Sequence, residues 1–189
     1  MKGKLGGFVV VTVMSLLVFG LGGAHADTEH TTEDNGGHAA EVHAVGLDTV
    51  FAPNQFIKST FHFKPGHVSV DHGGTLTFVD DTTDGHTLSL VTAADVPKTA
   101  ADVNNCGDTG PCGPILQAHF PHGFPPAGTP VPVVNQGGPG FDVPGDSLLV
   151  GPKGSGFEVN SVTVSAPSGT ELHFICAIHA WMQGTIEVN

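Results

Sequence analysis

From about residue 45 onward, apolar and polar positions alternate with period two. Phe61 and Phe63 flank His62, and Val68 and Val70 flank Ser69. Leu76 and Phe78 alternate with Thr75 and Thr77. Strand side chains point to opposite faces in turn, so each run predicts a strand with one apolar face. Asp71-His72-Gly73-Gly74 reads as the turn between two of them. His86, Leu88 and Leu90 share one face of the next run, and Thr87 and Ser89 take the other. Near the C-terminus Val162 and Val164 share a face, and the turn Ala166-Pro167-Ser168-Gly169 follows. Leu172, Phe174 and Cys176 then share a face, as do Gly184, Ile186 and Val188. Short alternating strands with frequent turns predict an all-β Greek-key sandwich, with His86 and Cys176 both pointing inward.

Three segments break this pattern. Met1-Lys2-Gly3-Lys4 is basic, Leu5 to Leu21 is apolar, and Ala24-His25-Ala26 is a small-x-small cleavage signal. Residues 1–26 therefore read as a secretory signal peptide, which places the mature chain in the periplasm or outside the cell. Residues 27–44 are acidic and polar, carry His30, His38 and His43, and read as a disordered tail. The domain proper then runs over 45–189. Within it, about 92–145 is rich in Pro and Gly. It is read as an ordered insertion with short helices over Pro97–Asn105 and Pro114–His119.

The last fourteen residues carry the chemistry. Cys176, His179 and Met182 stand at Cys-x2-His-x2-Met, and His86 lies far upstream. Two His and one Cys with a weak axial Met is the ligand set of a blue-copper electron-transfer site. Thiolate and thioether suit Cu(I), and imidazole accepts either oxidation state. A second metal site at His119-x2-His122 is not expected, because Pro121 and Gly123 argue for a loop. His173 should face away from Cys176.

On these residues, in Phe61–Leu90 and Asp146–Asn189, the chain resembles the cupredoxins of the plastocyanin/azurin group, with a ligand loop most similar to amicyanin. The resemblance implies that the first His ends a strand and the other three ligands lie between the last two strands. It implies one type 1 copper ion held by His86, Cys176, His179 and Met182. It also implies a non-enzymatic one-electron carrier that meets redox protein partners by transient contact near His179. That edge should be ringed by Ala177, Ile178, Ala180 and apolar groups of the insertion. A copper-delivery protein, aided by the His-containing tail, is the alternative. Many cupredoxins have Asn after the first His and Thr or Ser after the Cys; here the positions are Thr87 and Ala177. Thr87 is expected to donate to the loop backbone in place of that lock.

Charge and cysteine count narrow the picture further. The formal net charge is -12, with 18 acids against 6 bases, which disfavours nucleic acid or anionic lipid as a partner. With Cys176 given to the metal loop, Cys106 and Cys112 remain, and in an oxidising compartment they would pair. A monomer is expected, with no membrane span after cleavage.

Overall fold

The computed structural model describes residues 38–189. The expected leader and all of the tail before His38 lie outside the described residues. Twelve strands and two short helices follow in chain order. They are β1 (Ala40–Val45), β2 (Val50–Ala52), β3 (Phe56–Lys58), β4 (His62–Lys64), β5 (His67–Val70), β6 (Thr75–Asp80) and β7 (His86–Val91). Then come α1 (Ala100–Asn105), α2 (Cys112–His119), β8 (Val133–Val134), β9 (Ser147–Val150), β10 (Val159–Thr163), β11 (Glu171–Ile175) and β12 (Gln183–Val188).

Two sheets form a sandwich. One has the order β10-β6-β1-β4, the other β5-β12-β11-β7-β9-β8, and β2-β3 is a separate hairpin. The faces forecast by alternation meet between the sheets. Phe63, Val70, Leu76, Phe78, Leu88, Leu90, Phe174, Ile186 and Val188 form one buried cluster that also contains Cys176 and Met182. Gly184 belongs to this packing: a Cβ there would collide with the Phe174 ring and the Gly66 carbonyl.

The first strand starts earlier than the sequence reading allowed. Ala40–Val45 pairs parallel with β6 and antiparallel with β4, and Val42 and Ala44 are fully buried. The expected tail thus ends in a central strand. Its polar positions mislead because they cap the outer face. His43 there is held between Asp81 and Glu41, with both ring nitrogens 2.7 Å from a carboxylate oxygen.

The Pro/Gly-rich segment covers the outer face of the six-stranded sheet. Val91, Cys106, Cys112, Ile115, Ile175, Ala177 and Ala180 form a second buried cluster. Both short helices form, and the Cys106–Cys112 disulfide joins them. Thr99 caps α1 in a reciprocal box with Asp102. The buried Asp146 carboxylate accepts the N–H groups of Gln136, Asp142 and Val143, which closes the segment back onto β9. As a result every residue of β7 is buried, on both faces.

Candidate metal centre

His86 is the first residue of β7, whereas the family resemblance implied the end of a strand. Cys176 follows β11 directly, and Cys176, His179 and Met182 lie on the turn into β12. The turn is tight. Cys176 N–H donates to Met182 O at 3.1 Å and Met182 N–H to His179 O at 2.8 Å. This brackets the loop with backbone bonds and fixes its side chains.

The donor atoms of His86, Cys176 and His179 converge, all within 4.8 Å of one another. Cys176 Sγ is 3.7 Å from His86 Nδ1 and 3.9 Å from His179 Nδ1, and the two nitrogens are 3.2 Å apart. One point in their plane lies about 2.1 Å from all three atoms, within the roughly 2.0–2.3 Å at which zinc takes imidazole nitrogen and thiolate sulfur. His86 and Cys176 are fully buried, Met182 is 1% exposed and His179 is 8% exposed.

The outer ring nitrogens set the tautomers. His86 Nε2 lies 2.9 Å from Thr82 Oγ1, and Thr82 spends its own proton on the Asp84 carbonyl at 3.2 Å. His86 Nε2 is therefore the donor. His179 Nε2 lies 3.3 Å from the Asp84 carboxylate, which can only accept. Both Nδ1 lone pairs are left facing inward, 3.2 Å apart with no proton between them. That juxtaposition is unfavourable without a cation, and outer-shell bonds of this kind orient metal-bound imidazoles.

Burial acts on each group. It pushes the His86 pKa down to about 3, helped by the neighbouring His179. It also lowers that of His179, against the pull of Asp84. Both rings are neutral at neutral pH, as a ligand must be. Burial pushes the Cys176 thiol up, although Thr87 N–H at 3.4 Å and His179 N–H at 3.3 Å point at its sulfur. Metal binding would release that proton, so loading should be pH-dependent.

Several surrounding residues pack against or orient the two rings. Phe61 packs edge-on to His86 at 5.0 Å and against His179 at 5.1 Å. Trp181 stands beside His179 at 5.1 Å and donates Nε1–H to Phe61 O. Thr82 and Asp84 orient the rings. The spacing Thr82-x-Asp84-x-His86 was the available signal for both.

Two expectations are corrected. Ala177 and Ala180 are each 5% exposed and belong to the outer cluster, so neither rings an exposed edge. The Ala177 N–H bond to Thr87 and packing in the outer cluster hold them under the Pro/Gly-rich segment. Of the expected ring, Ile178 and the insertion's Phe124 do line the surface near His179, in an apolar groove of about 430 Å³ that also includes Phe157, beside Trp181 and Asp84. The Thr87 hydroxyl does not donate to the loop backbone: its Oγ1 accepts the Ala177 N–H at 2.7 Å. His119 ends α2, as the helix expected over Pro114–His119 implied, and is fully buried.

No protein-family model and no curated protein matches the chain. Solved structures that resemble it include a purple cupredoxin from Nitrosopumilus maritimus, at 11% identity over 79% of this chain and 99% of that one, TM-score 0.40. Auracyanin from Roseiflexus castenholzii shows 19% identity over 80% and 96%, TM-score 0.42. Plastocyanin from Dryopteris crassirhizoma shows 18% over 79% and 99%, TM-score 0.38. What the site can do is judged below from its own donor atoms.

Proposed function

We propose that the chain is an exported blue-copper electron carrier of the cupredoxin kind. The observation that carries this reading is the convergence of two neutral imidazole Nδ1 atoms and one buried sulfur on a single point. His86, Cys176 and His179 would form the trigonal set, with Met182 as the weak axial donor. Copper bound there would cycle between Cu(I) and Cu(II), and the mixed soft and imidazole donors tolerate both states.

The chain's own residues do the rest. Paired backbone bonds across Cys176–Met182 hold the loop. Thr82 and Asp84 hold the rings at fixed tautomers, so little reorganisation accompanies electron gain or loss. The burial of His86, Cys176 and Met182 excludes water and leaves no open position for substrate. The same burial favours a shuttle over a copper-delivery protein, since release would require opening the core. His179, the most exposed of the four, gives electrons the shortest way out, beside the Trp181 ring. Small, transient redox encounters need only a compact patch there. The acidic surface should steer partners in a salt-dependent way. Among the described residues no helix is long and apolar enough to cross a membrane.

The deciding experiment is the visible spectrum after adding Cu(II) to the copper-free protein. An intense thiolate-to-metal band is expected, lost in Cys176→Ala and weakened or converted in His86→Ala. A band that survives Cys176→Ala overturns the assignment.

A further inference from the structure

Between β1 and β4 stands a hairpin that nothing among the described residues covers. Its strands β2 and β3 pair only with each other, Phe51 opposite Ile57 and Val50 opposite Lys58. Opposed residues share a face, so Phe51 and Ile57 make one apolar face, and Val50 and Phe56 lie on the other. Phe51 is 68% exposed and Ile57 72%. The stem is nonetheless fixed. Leu47 N–H donates to Thr60 Oγ1 at 2.8 Å. Gly46, at φ 126°, lets the two stems approach where a Cβ would strike the Thr60 carbonyl. A lone two-stranded hairpin is marginal in water, and a contiguous exposed apolar patch marks a contact surface.

A matching concavity borders the same end of the sandwich. Phe61, next to the hairpin stem, packs on the His179 ring, and Asp84 meets its Nε2. Asp84 in turn lines the apolar groove of about 430 Å³, with Phe120, Phe124, Leu149, Phe157 and Ile178. The His179 ring thus touches the border of both features.

We propose that this end docks a second copy of the chain, the hairpin of each seating in the groove of the other, in place of the monomer expected from the sequence. A two-fold axis near the His179–Trp181 edge makes both contacts at once, as an isologous interface requires. Phe51 and Ile57 meet apolar groove walls, and Lys58 in the hairpin carries the charge opposite to Asp84 on the groove rim. Residues 27–37 cannot cover the hairpin instead, since they hold no large apolar side chain. A bilayer would have to take the polar tip, Asn54-Gln55, first, whereas a groove on a protein lets that tip reach water. Pairing would cover the edge by which electrons are proposed to leave. That consequence rests on the copper reading; the docking does not.

Sedimentation of copper-free protein over a concentration series tests the docking. Wild type should pass from monomer to dimer. The double variant Phe51→Ser, Ile57→Ser should weaken the dimer about tenfold or more, and so should Phe124→Ser in the groove. All three residues are more than half exposed, so both variants should keep the wild-type circular dichroism. Mixing the two variants should restore association, because the mixed pair keeps one intact hairpin facing one intact groove. Trp181, the only tryptophan, should emit at shorter wavelength as wild type associates, and not in the hairpin variant. Wild type that stays monomeric at every concentration overturns the proposal, whether or not it binds neutral-lipid vesicles. So does a dimer that Phe124→Ser leaves intact, or a pair of variants that fail to rescue each other. Absence of a thiolate band in copper-treated wild type would sink the copper reading and leave each of these outcomes unchanged.

Discussion

Strand β7 has two buried faces, and they are buried by different means. The inner face places His86, Leu88 and Leu90 in the sandwich core with Phe174, Ile186 and Met182. The outer face places Thr87, Ser89 and Val91 under a cover of two short helices and Pro/Gly-rich chain. The inner face is filled by large apolar groups from both sheets. The outer face is filled partly by hydroxyls, whose contacts close on His119 and Ala177. Apolar packing fixes where the ligands stand; the hydroxyl line meets the ligand loop at the Ala177 N–H. The first is costly to disturb through lost packing, and the second through the buried partners that a missing hydroxyl would leave unpaired.

The largest contrast should come from the inner core. Phe174 is fully buried, contacts the Phe63 ring at 4.9 Å and leaves no room for a side chain at Gly184. Phe174→Ala should cost about 3–5 kcal/mol, read as a lower denaturant midpoint. A cost below that of the outer-cluster variants would mean that the cover, not the sandwich, is the principal core.

The inner face was legible and the outer was not, for a physical reason. Period two shows which residues of β7 share a side, and the apolar side announces itself in Leu88 and Leu90. Thr87 and Ser89 look like a solvent face, because hydroxyls are equally at home in water. Only a segment far along the chain, ending in Ser147, buries them, and alternation carries no trace of that contact. The same blindness made Ala177 and Ala180 look exposed. The ligand set escaped this problem. Cys176, His179 and Met182 are close in sequence, and their donor chemistry is rare enough to stand out. The start at Ala40 could have been read from Val42 and Ala44, but the surrounding acids and His43 obscured it.

Buried polar groups sharpen the contrast next. Each hydroxyl of the outer line has partners, whereas Asp80, at the end of β6, is 1% exposed and its Oδ2 has none. Its Oδ1 accepts the Thr82 N–H at 2.7 Å. Burial raises its pKa from 3.8 to about 6, more than the Thr82 bonds lower it. The folded state therefore holds the proton more tightly than the unfolded chain. This contribution is fully present below 3.8 and is lost as pH rises through about 6. The loss is up to about 3 kcal/mol at one unit per 1.36 kcal/mol. Asp80→Asn should be more stable than wild type at pH 7, with the gap closing at pH 4, as measured by denaturant unfolding at both. A gap independent of pH would assign the cost to packing.

Within the cover, Ile115 is the apolar anchor, 4% exposed among Cys106, Cys112 and Val91. Ile115→Ala should cost about 2–3 kcal/mol, near the low end for such a truncation, because a short helix held by loops can settle into the space. Copper binding should survive it. If the copper spectrum collapsed with Ile115→Ala, the two faces of β7 would be one structural unit.

The smallest effect should follow replacement of Cys106 and Cys112 by Ser. The bond spans a sequence separation of 6 and ties the end of α1 to the start of α2. Closing so short a loop removes little freedom from the unfolded chain, about 2 kcal/mol by loop-entropy arithmetic. The lost order should stay local. Amide hydrogen exchange should quicken at positions 106 and 112 and at Phe120, whose N–H groups bond within the cover. It should remain slow at Phe174 and Ile186, which lie in strands paired across the six-stranded sheet. Ala177 is the decisive amide, since its N–H bonds to Thr87 while its side chain packs in the outer cluster. Slow exchange there, with the cover loosened, would place the ligand loop in the sandwich and keep the two faces separable. Fast exchange at Ala177 would show that the cover itself holds the loop, and the two faces would not be separable at that residue.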